Sequence, residues 1–252
     1  MSLSAHVLPE TADRTVALEA ELRDFSYMVS HDLAASFRHV SEYSRLLTAE
    51  LGGGLSPRQR SHVAYIQSAA MRCQAMMDGM LTFSQALQKA ISPTRHDATL
   101  TMRLAMRNLA NLDASGAEVT LSPLGEVFAD AKLLTIAFGH LLENAIKFGR
   151  SGVRPQVSIT PAHDADTWRV RISDNGLGID FDQAERAFQM FRRLNAEDAF
   201  AGVGAGLAIC RRISRRHGGD VRFVDSAEGA CIELSLPHEA SAPISEGRDA
   251  TP

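Results

Sequence analysis

Apolar residues in the first third of the chain recur at helical spacing. From about residue 16 the pattern predicts one long helix, which ends at three consecutive glycines, residues 52–54. A second helix is predicted after Ser56-Pro57, because serine suits an N-cap and proline suits the first helical position. Its apolar positions alternate in steps of three and four, as in a heptad seam: Val63, Ile66, Ala70, Cys73, Met77, Met80 and Leu87.

Two helices of this kind cannot enclose a core by themselves. Each would be about 50 Å long at about 1.5 Å per residue, with only one apolar stripe. An antiparallel helical hairpin that pairs with a copy of itself buries both stripes in a four-helix bundle. The sequence therefore predicts a homodimer that forms through residues 15–91.

Beyond about residue 95, helical and strand patterns alternate. The predicted helices are near 99–112, 131–148, 182–190 and 205–217, and the predicted strands are near 117–121, 126–129, 155–160, 168–173, 220–225 and 230–236. Helices that pack on a mixed sheet form a two-layer α/β sandwich, so the fold class is α+β. The predicted division is a tail over 1–14, the hairpin, a linker over 92–98, a second domain over 99–237 and a tail over 238–252.

Composition excludes several classes of protein. The formal net charge is −4 with both signs mixed along the chain, which gives no reason to expect a surface for nucleic acid or for an anionic membrane. The three cysteines are far apart in apolar surroundings, as is typical of buried thiols in a reducing compartment. Because no apolar run approaches about 18 residues and the N-terminus lacks a signal-peptide core, we expect a soluble, cytoplasmic protein.

His31 lies on the polar side of the first predicted helix. At about 100° per residue it is about 160° from Leu33, which belongs to the apolar seam. A solvated surface histidine is the simplest interpretation. An exposed imidazole beside the Asp32 carboxylate could also act as a nucleophile, with Asp32 fixing its tautomer and taking its proton.

Three further motifs in the second half of the chain suggest a nucleotide site, although no P-loop sequence is present. On a predicted helix, His140, Asn144 and Lys147 share one face. The Asn144 oxygen suits Mg²⁺, Lys147 can neutralise phosphate, and Phe148 can cover a base or ribose. A polar helix face is more often simply solvated, so this motif alone decides little.

The other two motifs are rich in glycine. Residues 174–178 read Asp-Asn-Gly-Leu-Gly directly after a strand, where Gly176 and Gly178 permit a tight turn and the Asp174 carboxylate could accept the amine of adenine. The alternative is an ordinary Asn-Gly turn. A helix then opens with glycines whose backbone amides suit a triphosphate: Gly202, Gly204, Gly206 and the adjoining Leu207.

In this order and spacing, the motifs resemble those of bacterial two-component sensor histidine kinases. Residues 25–33 resemble the H-box in the form found in phytochrome-like kinases, and 140–148 resemble the N-box. Residues 174–178, 188–193 and 202–206 resemble the G1, F and G2 boxes, and 180–205 the ATP lid. The resemblance implies a dimerisation and phosphoacceptor domain followed by an ATP-binding domain of the GHKL type.

The resemblance also implies the role of each matching residue. His31 would accept a phosphoryl group from ATP and pass it to an aspartate of a response regulator, with Asp32 as the general base. Asn144 would hold Mg²⁺, and Asp174 would read adenine. The rest of the site would be His140, Lys147, Phe148, Gly176, Gly178, Gly202, Gly204, Gly206 and Leu207.

The chain departs from the family pattern at three positions. Ser36 stands where a helix-kinking proline is usual. Ala35 replaces the Thr or Asn that helps to dephosphorylate the partner, so we expect weak phosphatase activity. His140 replaces the usual first asparagine of the N-box.

Some alternatives stay open at the level of sequence. The chain could be a histidine phosphotransferase or pseudokinase scaffold, although such proteins typically lose the residues equivalent to Asp174 or Asn144. An ATPase of the same fold, as in certain chaperones and mismatch-repair proteins, or a serine-directed anti-sigma kinase would not need the hairpin.

Only about 20 residues precede the H-box, so a sensor would be a separate partner, or else the chain is an excised core. The sequence leaves open the signal, the identity of the regulator, and whether His31 is phosphorylated in cis or in trans.

Overall fold

The computed structural model describes residues 33–51, 54–88, 90–109, 115–164, 166–194 and 202–239. The chain divides into two compact units, Met1–Gln85 and Ala86–Pro252. The predicted phosphoacceptor His31 and its neighbour Asp32 lie outside the described residues, as do both predicted tails apart from His238 and Glu239.

The described residues of the first unit form two helices. Residues 33–51 form α1, and Pro57–Gln88 form α2. The predicted start of α2 is confirmed by a reciprocal cap: the Gln59 N–H donates to Ser56 Oγ (3.3 Å), and the Ser56 N–H donates to Gln59 Oε1 (2.8 Å). A cavity of about 620 Å³ is lined by both helices, including Arg38, Glu42 and Met71, so the helices lie side by side.

In the part that the structure describes, the second unit has seven strands and three α-helices. In chain order the elements are β1 (Thr94–Asp97), α3 (Ala98–Asn108), β2 (Glu118–Leu121), β3 (Glu126–Ala129), α4 (Ala131–Lys147), β4 (Gln156–Pro161), β5 (Thr167–Asp174), a 3₁₀ helix (Phe181–Phe188), α5 (Gly206–Arg216), β6 (Asp220–Val224) and β7 (Cys231–Pro237). The main sheet has the order β2-β4-β5-β7-β6. Its β2–β4 pair is parallel and the others are antiparallel, while β1 and β3 form a separate antiparallel pair.

The helices pack on one face of the main sheet, as predicted for a two-layer α/β sandwich. α4 contacts β4 and β5, and α5 contacts β6 and β7. Alternate residues of the strands point into this layer, which explains the period of two in their sequence. Trp168, the only tryptophan, is buried there, and its indole N–H donates to the Leu124 carbonyl (2.9 Å).

The opposite face of the sheet is polar. Glu233 on β7 is almost fully buried, because Arg171 on β5 and Arg222 on β6 bind one carboxylate oxygen each, at 2.8 and 2.7 Å. Burial raises the pKa of Glu233, but the two guanidinium groups outweigh this effect and hold the pKa below its usual value. The alternation along these strands therefore separates an apolar core from a charged outer surface.

Most predicted elements of the second unit are observed within one or two residues of their bounds. The predicted helix near 182–190 is a 3₁₀ helix, and α3 ends at Asn108 rather than near 112. The predicted linker 92–98 is wrong for residues 94–97, which form β1 opposite β3. This strand has no apolar alternation, so its pairing with β3 depends on backbone hydrogen bonds and not on a pattern in the sequence.

The cysteines are free thiols in the structure. Cys210 and Cys231 are buried and Cys73 is half-buried, and burial raises the pKa of both buried thiols. Within the described ranges, no helix combines the length and the apolar character of a membrane span.

Candidate nucleotide site

α4 carries the first group of predicted site residues. The Asp130 carboxylate caps its N-terminus by accepting the N–H groups of Lys132 and Leu133, at 3.0 and 3.2 Å. One side of the helix is buried against the core through residues that include Leu134, Phe138 and Leu141. Because this side packs on the core, the half-buried polar side chains on the opposite side of α4 have a defined orientation.

Two of these side chains find no partner that matches their chemistry among the described residues. The Asn144 amide makes no side-chain hydrogen bond to any described residue. Lys147 likewise has no ion pair in the described ranges, and its ammonium lies 4.7 Å from the centroid of the Phe148 ring. Burial lowers the pKa of Lys147, and nearby Arg193 lowers it further while Glu143 opposes both effects. An anionic ligand would stabilise this cation.

His140 faces the second glycine-rich segment. A Cβ atom on Gly206, the first residue of α5, would lie 3.4 Å from both Cβ and Nδ1 of His140. The imidazole is also 3.8 Å from the Glu143 carboxylate. The interaction with His140 holds the pKa of Glu143 below its usual value, with a smaller contribution from Lys147, although burial opposes ionisation of the carboxyl group.

Asp174 is at the end of β5, where its carboxylate is held by backbone groups. Oδ1 accepts the N–H of Gly176 (2.8 Å) and the N–H of Ala230 (3.1 Å). Oδ2 accepts no hydrogen bond from a described residue. Burial raises the pKa of Asp174 despite these hydrogen bonds and the nearby Arg150. One oxygen is thus fixed, and the other is available to a ligand donor.

The turn after Asp174 packs against the end of α4. The Leu177 N–H donates to the Phe148 carbonyl (3.0 Å), and a Cβ atom on Gly176 would lie 2.4 Å from that same oxygen. Gly178 has φ +75° and faces the Gly229 carbonyl. Side chains at Gly176 and Gly178 are therefore excluded by backbone atoms, as expected where the chain must approach closely.

The third motif approaches the same helix. Gly202 has φ +110°, and a Cβ atom there would lie 2.8 Å from Lys147 Nζ. Gly204 has φ +76° and packs on the Arg192 carbonyl. Leu207 is half-buried in the first turn of α5. The N-cap residue Ala205 makes no side-chain cap, so the first amides of α5 are available to an anion.

The fold thus brings together three segments that are up to 66 residues apart along the chain. His140 and Lys147 face Gly206 and Gly202, and Phe148 contacts the Asp174 turn through its carbonyl. An acceptor oxygen, a neutral amide, a lysine and a set of helix amides are the groups that fit a nucleotide with its Mg²⁺. The described residues hold no group of three or more His, Cys, Asp and Glu side chains arranged for a metal ion.

The sequence did not predict the residues outside the 174–178 motif that contact and support the turn after Asp174. Arg150 Nε donates to the Gly176 carbonyl (2.9 Å), and Arg150 also lies 3.6 Å from Glu228. Gly229 has φ +62° and leaves no room for a Cβ atom beside Asp174. Of these residues, only Gly229 could have been noticed in the sequence, because glycine is common in a turn between two strands. The contribution of Ala230 is a backbone N–H, which leaves no trace in the sequence.

Comparison with known proteins identifies this domain. Residues 129–240 match the family described as histidine kinase-, DNA gyrase B- and HSP90-like ATPase. The chain is 34% identical over 221 residues to cyanobacterial phytochrome A of Nostoc sp. (86% of this chain, 29% of that protein). It is 30% identical over 235 residues to the phytochrome-like protein Cph1 of Synechocystis sp. (92% of this chain, 31% of that protein). The chain thus spans less than a third of these curated relatives.

A solved structure supports the fold. Full-length ShkA in complex with AMPPNP aligns with 88% of this chain and 47% of its own length, with a TM-score of 0.61 and 24% identity. Together with the named sensor kinases among the relatives, including the sensor protein KdpD of Escherichia coli at 28% identity over 222 residues (86% of this chain, 24% of that protein), the matches confirm the resemblance seen in the sequence. Residues 129–240 therefore belong to the histidine kinase, DNA gyrase B and HSP90-like ATPase family, and the chain is a relative of the sensor histidine kinases.

Proposed function

We propose that this protein is an ATP-dependent histidine kinase that phosphorylates its own His31 and then transfers the phosphoryl group to an aspartate of a response regulator. The observation that carries the proposal is the convergence of Asn144, Lys147, Asp174 and the glycine segments on one site. The fold holds each of these groups, and among the described residues the Asn144 amide, the Lys147 ammonium and Asp174 Oδ2 make no hydrogen bond or ion pair.

The site residues divide the nucleotide between them. Asp174 Oδ2 accepts a donor such as the exocyclic amine of adenine, while Oδ1 stays bound to the Gly176 and Ala230 amides. Lys147 and the α5 amides attract the phosphates, and Asn144 holds Mg²⁺. Phosphoryl transfer depends mainly on positioning and charge neutralisation, and these side chains supply both.

His31 and Asp32 supply the acceptor end of the reaction. A neutral imidazole nitrogen of His31 forms a bond to the γ-phosphorus, and the bond to the leaving ADP oxygen breaks. Asp32 takes the proton that the imidazole loses and favours the correct tautomer of the ring. In a second step an aspartate oxygen of the regulator replaces the imidazole nitrogen. Because the reaction needs a supply of ATP, we propose that it takes place in the cytoplasm.

A homodimer through the helical hairpin is part of the proposal. In the single chain, residues of the predicted apolar seam are 41–50% exposed: Leu33, Val40, Leu47, Leu51 and Ile66. Leaving so many aliphatic side chains in water is unfavourable, and a second copy of the hairpin would cover them. The proposed division is a hairpin over 15–91 and a catalytic domain that begins with β1 and extends to residue 237.

The rival function is a phosphotransferase or pseudokinase scaffold. Such a protein would present a phosphoacceptor histidine without an active nucleotide site. The intact hydrogen bonding of Asp174 and the available Asn144 amide favour the kinase.

The decisive experiment is incubation of the purified chain with Mg²⁺ and γ-labelled ATP. We expect an acid-labile label on the wild type, and none on His31→Ala or Asn144→Ala. Matched controls are His39→Ala, an exposed histidine on α1, and Asn108→Ala, an exposed residue at the end of α3. Both controls should be labelled as strongly as the wild type.

Failure of the wild type to label would contradict the kinase. In that case, labelling of His31 by a phosphorylated response regulator would identify a phosphotransfer scaffold. Label that survives in His31→Ala would place the phosphoacceptor elsewhere.

A further inference from the structure

Arg211 on α5 forms ion pairs, a hydrogen bond to the backbone and a stacking contact with an aromatic ring. Its side chain is 13% exposed. NH1 and NH2 bind the two oxygens of Glu185 at 2.7 and 2.9 Å, in a bidentate pair. Nε donates to the Val221 carbonyl (3.2 Å) and lies 3.3 Å from the Asp220 carboxylate. The guanidinium therefore joins α5, β6 and the 3₁₀ helix.

The same guanidinium stacks on an aromatic ring. Its central carbon is 3.8 Å from the centroid of Phe188, which is buried and packs on Phe223 at 5.5 Å. Glu185 and Phe188 are three residues apart in the 3₁₀ helix, so their side chains lie on the same side. Arg211 thereby holds the end of the 3₁₀ helix by two contacts at once.

Two residues shortly after Phe188, Phe191 and Arg192, contact the glycine segment. Phe191 has φ +59° and is the one non-glycine residue with positive φ among those described. Its N–H donates to the Gly204 carbonyl (2.9 Å), and Gly204 packs on the Arg192 carbonyl. A non-glycine residue keeps this conformation only where its surroundings impose it. The anchor at Phe188 and the hydrogen bond to Gly204 are those surroundings.

The glycine segment faces the nucleotide site at both of its ends. Gly202 lies against Lys147, and Gly206 lies against His140. We propose that Arg211 is a positioning residue of this site. It fixes the segment from Phe188 to Arg192 on α5, and through the Phe191–Gly204 hydrogen bond it fixes the backbone path beside Lys147. The inference deepens the proposed function and rests on it.

The test compares variants of the full chain for binding of a fluorescent ATP analogue with Mg²⁺, and for KM and kcat of autophosphorylation. Arg211→Met retains the length and apolar stem but loses the charge and the donors. Glu185→Gln loses the ion pair at a residue whose side chain is 79% exposed, so it should fold even if Arg211→Met does not. Arg215→Met is the matched control, since Arg215 is one turn along α5 and pairs with Asp220 at 3.2 Å.

We expect Arg211→Met and Glu185→Gln to raise Kd and the KM for ATP by roughly tenfold, with kcat at saturating ATP changed much less. The double variant should be little worse than Arg211→Met, because the two residues act as one unit. Arg211→Lys should have an intermediate Kd, since lysine keeps the positive charge but cannot form the bidentate pair with Glu185. Arg215→Met should bind as the wild type does.

An unchanged Kd in either folded variant, or an equal effect of Arg215→Met, would overturn the inference. A purely structural role would lower the unfolding midpoint, followed by Trp168 fluorescence, without moving Kd. Because binding is measured without phosphoryl transfer, a wild type that binds the analogue but forms no phosphohistidine would contradict the proposed function alone. A wild type that binds no analogue would contradict both.

Discussion

Asp130 and His217 are 87 residues apart in the sequence and are joined by one hydrogen bond, from the Asp130 N–H to His217 Nε2 at 3.0 Å. The other ring nitrogen, Nδ1, lies 2.8 Å from the Ile213 carbonyl and must donate to it. Both contacts require a neutral ring with its hydrogen on Nδ1. Because Asp130 also caps α4 and accepts the Ser92 N–H, the histidine connects the end of α5 to the start of the helix that bears Asn144.

This arrangement predicts acid sensitivity. Burial lowers the pKa of His217, and Arg216 lowers it further, while the Ile213 carbonyl and the Asp130 carboxylate oppose them. With a folded pKa below the unfolded value of about 6.5, the stabilisation is fully present above pH 6.5 and is lost as pH falls through the folded pKa. We expect the free energy of unfolding, measured in urea by Trp168 fluorescence, to fall as the pH is lowered from about 6.5 through the folded pKa of His217.

His217→Gln isolates this contribution from the carboxylates that also titrate in acid. The variant should be less stable at pH 8 by about 1–3 kcal/mol, because two buried groups lose part of their hydrogen bonding. Its stability should then depend less on pH between 8 and 5 than that of the wild type. His238→Gln is the control. Equal pH dependence in wild type and His217→Gln would show that the ring is not the titrating group.

Gly229 tests whether the turn between β6 and β7 supports the nucleotide site. An added Cβ atom would lie 2.0 Å from the Asp174 carbonyl oxygen, so Gly229→Ala must displace the turn or Asp174. We expect a loss of about 2–4 kcal/mol of stability and at least a tenfold weaker binding of the ATP analogue. Gly152→Ala is the matched control: its φ is +75°, but nothing lies within 4 Å of the added atom.

Gly152→Ala should cost only about 1 kcal/mol and leave nucleotide binding intact, since the strain at positive φ is local. Equal effects of the two variants on binding would mean that positive φ matters and the contact with Asp174 does not. Calorimetric titration with the ATP analogue and urea unfolding measure the two quantities separately.

Asp174→Asn separates the two roles of the carboxylate. The amide oxygen can still accept the Gly176 and Ala230 N–H groups, so stability should change by less than about 1 kcal/mol. The amide NH₂ would then face the ligand in place of Oδ2, and two donors would oppose each other. We expect binding of an adenine nucleotide to weaken by about 2–3 kcal/mol.

The control for this substitution is Asp180→Asn, in the same loop, where the carboxylate caps the 3₁₀ helix by accepting the Asp182 N–H. Nucleotide affinity should survive that change. Titration of both variants with an adenine and a guanine nucleotide adds a second criterion. If Asp174→Asn weakened both nucleotides equally, the carboxylate would not be reading the base.

The success and failure of sequence reasoning have distinct physical causes. The strands of the main sheet were predictable because each buries one face, which leaves a period of two, as at Val170 and Ile172. β1 was missed because its four residues are polar and its partner is distant. The site glycines and Asp174 were predictable because backbone geometry and an acceptor oxygen restrict the residue type. Arg150 and Arg211 were not, because an arginine can have many roles in a fold and only its tertiary contacts show which one it has.

The exposed seam of the hairpin gives the last prediction. Leu47 is 50% exposed on α1, within the predicted apolar stripe. If a second copy covers this stripe, sedimentation equilibrium should give twice the chain mass of 27.3 kDa for the wild type. Leu47→Glu would bury a charge at that interface and should shift the protein towards the monomer, whereas the exposed Arg60→Glu should not. A wild-type monomer at micromolar concentration would contradict the proposed bundle, and a Leu47→Glu dimer would place the interface on another face.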